Sequence, residues 1–585
     1  MPRLARLRTL VAVAAAAAVL AGCTGDVVLT ADPPTDVTIG AVTKDPPQDV
    51  TVLAGEGATA LAIAASEAYF ASAEIVVITP PEAGAQLRAA SVATTLGLPV
   101  LVTGEEGTAD AVAAELERLG TRTVLVTSGA TLPELSPDRP FLRAVPAPDD
   151  LDGLQVVIGR DLAGEVVVQP GGEVAALASA QEPFDWLLVP PSDGSSGSSG
   201  PTGSSGSSDS AEPTEEPTRN LADLPGLPPF RAPERLIANA LVSDGGDGQI
   251  AAVGTARAAG ASVVVTTDIA SDPTAIATLF GIGADRIVGV GDVGDPVTFA
   301  YRARVAATGV DLPGGGQELL DGKTYVGLRG APGAPELGSL GAQDTPATLE
   351  RLRSLASSTG GSSTVVPTAV LLTTVASSSP GSDGSYSGKR SLADVEAFVD
   401  AARDAGVSVL LTFQPGRQSM VEQLALYDEV LARPNVGVAL EPGWRLQPGE
   451  VPGSQTGVVA ADEVNAVVEH VAALTDEQAL PPKMLLVRLA TDATVSDPQN
   501  IDSSRPQVGV VLEVNGGGVT PPVAAEATAP DPAAPAPVVV SASDVWARAT
   551  ALPWDGPWGW GQGTTEVAAS ELSALSPPPV VVTYP

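Results

Sequence analysis

The sequence predicts an α/β protein: Rossmann-like parallel-sheet modules related by an internal repeat, followed by a TIM-like (β/α)8 barrel. Three observations predict it. Short apolar runs alternate with Ala-rich stretches of helical length through residues 74–129, the pattern of a parallel sheet covered on both faces. The same pattern returns at a constant offset: Gly97 falls on Gly260, Val100 on Val263, Thr103 on Thr266, Leu116 on Leu279 and Gly120 on Gly283, with no gap. Finally, residues 324–585 hold eight apolar runs, most of them separated by helical stretches, the count and length of a (β/α)8 barrel.

Composition narrows the classes. The chain has 585 residues, too many for one core, with 44% hydrophobic and 17% charged residues. Its net charge is −38 and it shows no basic cluster beyond the first eight residues, so a nucleic-acid partner is set aside.

The N-terminus begins with MPRLARLR and an apolar stretch, TLVAVAAAAAVLAG, that leads to Cys23, the single cysteine. This is a secretory n-region and h-region, short for a membrane span. Leu20-Ala21-Gly22-Cys23 resembles the lipobox of bacterial lipoproteins. The resemblance implies that residues 1–22 are a signal peptide and that Cys23 is the lipidated residue, with acyl chains, palmitate among them, holding the chain to the outer face of the cell membrane. Several chains anchor stably where one is reversible. No other thiol remains for a disulfide, so core burial alone must hold the fold.

Residues 23–48 are polar and Pro-rich and read as a tether. The first α/β domain is placed at 49–191. EIVVIT (74–79), LPVLVT (98–103) and TRTVLVTSG (121–129) are its strands; its helices, 83–97 and 109–120, stop on Gly97 and Gly120. A degenerate third copy is sought in 134–190. Residues 192–220, rich in Gly, Ser and Pro, form a flexible linker with nothing to bury. The second α/β repeat spans 221–318.

The words ASVATTLGLPVLVTG, ELERLG and TRTVLVTSG resemble the type-2 cell-wall-binding repeat of Gram-positive surface proteins. That resemblance implies a Rossmann-like fold and a cell-wall polymer as partner. Residues 49–129 carry ten Asp or Glu against Arg88, Arg118 and Arg122, so an anionic polymer would need a bridging cation such as Ca²⁺. DGGDGQ (244–249) has acids for an oxygen-only Ca²⁺ site but lacks the twelve-residue loop pattern. The glycines of GEGATA (55–60) and GVGDVGD (289–295) do not make a dinucleotide fingerprint.

The barrel is placed at 319–585. Its strands read TYVGLRG (324–330), TAVLLTTVAS (368–377), VSVLLTFQPG (407–416), VGVALEP (436–442), KMLLVRLA (483–490), VGVVLEV (508–514), WGWGQG (558–563) and VVVTYP (580–585). SLADVEAF and AADEVNAV open helices with a cap-like residue and first-turn acids, and DPQNIDSSRP after the fifth strand reads as a loop. LRGAPGAPELGSLG, VASSSPGSDGSYS, FQPGR and ALEPGWRL resemble the barrel domain of actinobacterial surface lipoproteins, a likeness that carries over no catalytic residue.

Two barrel strands end on a carboxylate in the same register, Glu441 and Glu513. Strand side chains alternate between barrel interior and helix layer, so both glutamates should emerge at the C-terminal rim, where barrel active sites lie. Arg329, Gln414, Arg417, Trp444, Arg488 and Trp560 are the expected rim neighbours and ligand-binding residues. Two rim carboxylates suit glycoside hydrolysis, at roughly 6–10 Å for inverting geometry, and tryptophans suit sugar faces. However, the barrel hydrolases with a strand-four acid keep a nucleophile at the end of strand seven, where this chain has Gln562 and no acid. Glu441 could also simply pair with Arg417 or Arg445, and Glu513 with Arg488, as rim salt bridges. The reading is therefore a glycan-facing barrel without turnover in an envelope lipoprotein. A glycoside hydrolase using Glu441 and Glu513 and a scaffold for another envelope protein are the alternatives. The one histidine, His470, lies inside a helix, which leaves no His/Cys metal site and no Ser-His-Asp triad.

Overall fold

A computed structural model describes residues 38–134, 142–191, 221, 224–360, 362–517, 541–563 and 566–585. The leader, Cys23 and the linker 192–220 lie outside the described residues.

The repeat is visible as two four-stranded parallel sheets of the same order. In the first, Val100–Val102, Ile75–Thr79, Thr123–Val126 and Arg143–Pro146 lie side by side. In the second, Ser262–Val265, Asn239–Ser243 and Arg286–Val290 take the matching positions. The fourth position differs. It is filled by Val50–Val52, with Val288 opposite Thr51. Residues 50–52 fall within the span placed as the first α/β domain, 49–191, yet they pair with the second sheet. The reason is local supply. After Arg286–Val290 the chain turns into the helix Pro296–Thr308 and on to the barrel, so no following strand is at hand to cover that sheet edge.

The equivalent helices Ala83–Leu96 and Ile250–Ala259 pack on each other. Both are Ala-rich and buried on most sides. Closeness is the reason for the small residues: a Cβ at Gly254 would stand 2.4 Å from Ala90 Cβ. Polar groups on the interface are paired across it, Val100 N to Thr255 Oγ1 at 3.0 Å and Ala251 N to Gln86 Oε1 at 3.3 Å, as burial requires. Gly97 ends the first helix at φ 72°, a left-handed conformation open to glycine.

The stretch examined for a third copy forms a smaller unit. Gly164–Val167 and Trp186–Val189 pair in parallel around the helix Glu173–Ser179. It is pinned to the first module by Ser91, whose hydroxyl donates to Trp186 O and accepts from Leu188 N, each at 3.0 Å.

The C-terminal half is a closed eight-stranded parallel barrel. Its strands are β1 (Lys323–Gly330), β2 (Thr364–Leu372), β3 (Ser408–Phe413), β4 (Val436–Leu440), β5 (Lys483–Leu489), β6 (Val508–Asn515), β7 (Trp558–Gly561) and β8 (Val581–Tyr584), with β8 closing on β1. Inward side chains include Tyr325, Val370, Leu410, Ala439, Leu486, Val511 and Val581, which form one core. The opposite parity packs under the helices in a second core. Ser391 caps its helix by accepting from Asp394 N at 3.2 Å, whereas Ala460 offers the following helix no side-chain cap and leaves Asp462 and Glu463 to favour its first turn. Between β5 and β6 stand a two-residue strand, Val495–Ser496, and a short turn, Pro498–Asn500, in place of a helix. The barrel's lower end meets the second module through Tyr301 Oη donating to Leu480 O at 2.7 Å and Arg304 Nη2 to Asp476 Oδ1 at 2.8 Å.

Candidate functional site

Parity decides which side chains reach the barrel mouth. Tyr325 faces inward on β1, so Arg329, four residues on, does as well. The same alternation carries Ala439 to Glu441, Leu486 to Arg488, Val511 to Glu513 and Val581 to Thr583. Beyond β3, Gln414 continues the inward set. On β7 the inward positions are Gly559 and Gly561. A Cβ at Gly561 would stand 3.0 Å from Arg488 Nη2 and 3.3 Å from Glu513 Cδ, so the missing side chain makes room for that pair.

These residues form one polar network. Arg329 grips Glu441 at two points, Nε to Oε1 at 2.8 Å and Nη2 to Oε2 at 2.9 Å. Gln414 Nε2 also donates to Glu441 Oε2, at 2.7 Å, while its carbonyl accepts from Ala376 N at 2.7 Å. Arg488 donates through Nε to Glu513 and through Nη2 to Thr583 Oγ1 at 2.8 Å. Thr583 in turn donates to Glu513 Oε1. Arg488 Nη1 stands 3.6 Å from Glu441 Oε1, so one guanidinium lies between the two carboxylates. Glu513 is fully enclosed and Glu441 is 4% exposed.

Electrostatics follow from this packing. Burial by itself pushes the Glu441 carboxyl upward, but Arg329, Arg488 and the Gln414 hydrogen bond outweigh it and hold it below the usual range. Burial likewise works against the Arg488 charge, and Glu513 and Glu441 outweigh it in the other direction.

Above the network opens a cleft of about 240 Å³. Arg329, Glu441 and Arg488 form its floor; Trp444, Gln455 and Asn515 stand on its walls. The turn Pro442–Trp444 follows Glu441 directly and folds Trp444 back over the mouth.

Two expected neighbours are elsewhere. Trp560 is fully buried on the outward parity of β7, 6.0 Å from the Trp546 ring, with Nε1 donating to Gln562 Oε1 at 3.2 Å. It is a packing residue between barrel and helix. Arg417 lies beyond the end of β3, stacked 4.4 Å over Tyr386 and donating to Glu450 O at 2.7 Å. Arg445 likewise turns to Glu463, at 2.8 Å. Thr583 and Asn515 join the site without having been singled out in the sequence; the inward step from Val581 is the signal that finds Thr583.

Asp244, weighed for Ca²⁺, spends its carboxylate on Gly246 N at 3.1 Å, Asp292 N at 2.9 Å and the Gln249 amide. Among the described residues no group of three or more His, Cys, Asp or Glu is arranged to hold a metal ion, and no helix is long and apolar enough to cross a membrane. His470 lies 2.8 Å from Asp428 on the outer surface of the barrel.

No protein-family model matches the chain, and neither does any curated protein sequence. Among solved structures, similarity at a low level extends to two proteins of Clostridium difficile. Cwp8 from Clostridium difficile is 13% identical with a TM-score of 0.29, over 45% of this chain and 52% of that one. Cwp6 from Clostridium difficile is 13% identical with a TM-score of 0.30, over 68% of this chain and 63% of that one. The chain thus spans less than two thirds of the length of Cwp8 and of Cwp6.

Proposed function

We propose that this is a lipid-anchored cell-envelope protein whose barrel binds an envelope glycan at its C-terminal rim without hydrolysing it, while the paired α/β modules associate with cell-wall polymer. The observation that carries the barrel reading is the Arg329–Glu441 clamp. A glycosidase needs one rim carboxyl that stays protonated near neutral pH. Two guanidiniums and the Gln414 amide instead favour the ionised form of Glu441, and Glu513 is buried beneath Arg488. What remains open to a ligand is a tryptophan face beside amide and guanidinium donors, a combination suited to holding a sugar ring. The anchoring part of the reading rests on Leu20 to Cys23.

The test incubates the mature chain with soluble envelope glycans and follows tryptophan fluorescence and reducing-end release together. Quenching or a spectral shift that vanishes in Trp444→Phe, with no reducing ends released, is the expected result. Release of reducing ends that is abolished by Glu441→Gln would make the barrel an enzyme; no optical response to any glycan would remove the cleft reading.

A further inference from the structure

The floor of the rim cleft has spent most of its acceptors and kept some of its donors. A guanidinium carries five N–H groups and no acceptor. Arg329 uses Nε and Nη2 on Glu441, and its Nη1 makes no hydrogen bond with any described residue. Arg488 uses Nε on Glu513 and Nη2 on Thr583; its Nη1, 3.6 Å from Glu441, is beyond hydrogen-bond reach. On the acceptor side, Glu513 is sealed from solvent and Glu441 already receives three hydrogen bonds. The cleft floor therefore shows a ligand two forked cationic donors and almost no free carboxylate.

We infer that the cleft selects a sugar bearing an oxyanion, a pyranose with a carboxylate or a phosphate, received by the unspent Nη1 groups of Arg329 and Arg488; this rests on the glycan-cleft reading above. A neutral hydroxyl brings a donor with every acceptor, and over this floor its proton finds almost no free acceptor. A carboxylate or phosphate brings acceptors only and fits the planar fork of arginine. Local charge does not oppose it, since two arginines and two glutamates sum to zero. The chain's net charge of −38 acts at longer range, where salt screens it beyond about 10 Å, so the contact donors decide.

The mature full-length chain is titrated by calorimetry with methyl glucuronide, glucose 1-phosphate and methyl glucoside. At least one of the two anionic sugars should bind about tenfold or more tightly than the glucoside, the scale of a charge-assisted hydrogen bond, and which one does so identifies carboxylate or phosphate as the source. Arg329→Lys keeps the charge beside Glu441 but removes the fork. It should bring the affinity ratio of the preferred anionic sugar to the glucoside down toward one. A merely structural role for Arg329 would weaken all three sugars alike and would overturn the inference. Equal affinity of the wild-type chain for all three would also overturn it while leaving a glycan cleft in place; binding of none would overturn both.

Discussion

Arg329 and Glu441, 112 residues apart in sequence, meet across the barrel mouth through two hydrogen bonds of 2.8 and 2.9 Å. Removing one partner of such an enclosed pair strands the other's charge. Glu441→Ala should therefore cost about 3–5 kcal/mol, read from urea unfolding. The pH dependence has a definite sign. A carboxyl held below its unfolded value contributes stability that is fully present above about pH 4.3 and is lost as pH falls through the lower folded value. Glu441→Gln should flatten the acid limb of the stability curve; an unchanged limb would mean that the pair does not set it.

The tryptophans divide by parity, and mutation should divide them the same way. Trp560 lies between barrel and helix beside Trp546, so Trp560→Ala should cost about 3–5 kcal/mol, the scale of a deleted core aromatic. Trp444 stands half-buried on the cleft wall. Trp444→Ala should cost about 1 kcal/mol or less and remove the optical response to glycans. Thermal melts paired with ligand titration check both halves of the statement.

Strand alternation makes much of the rim readable from sequence, because inward residues recur at every second position whatever the rest of the fold does. Arg329, Gln414, Glu441, Arg488 and Glu513 all follow from it. Trp560 is misread when a cluster of tryptophans is weighed above the same alternation, which gives the inward places on β7 to Gly559 and Gly561. Arg417 escapes because it lies in a loop past its strand, where no period applies. Partner choice is also hidden: whether Glu441 meets Arg329, Arg417 or Arg445 depends on how distant strands close the ring. Val50–Val52 escapes for a similar reason, since three residues are too few to show which sheet they join.

That strand yields a third prediction. Val50–Val52 closes the second module's sheet, and the packed helices join the modules again across Ala90 and Gly254. A protease site inserted within residues 192–220 should be cut without separating the halves. Gel filtration should show one species before and after cleavage, and two only in denaturant. Separation under native conditions would mean that the interlocking contacts are too weak to hold without the covalent connection.

The last prediction concerns Lys483 at the start of β5. It is 1% exposed, and its ammonium donates to Arg433 O at 2.9 Å and Val436 O at 3.0 Å. No carboxylate faces it among those partners, and burial brings its pKa down to about 7. In the unfolded chain it titrates near 10.4. Between those values the unfolded state holds a proton that the native state has released, so stability should rise with pH from about 7 toward 9.5, short of the tyrosine range. Lys323, also lowered by burial, adds a slope of the same sign, which makes the difference between wild type and Lys483→Met the proper readout. The variant leaves two carbonyls without their donor, a cost of about 1–3 kcal/mol, but that cost does not vary with pH. Urea unfolding at several pH values should therefore show a shallower rise in Lys483→Met than in the wild type; parallel curves would mean that the buried ammonium keeps its proton throughout.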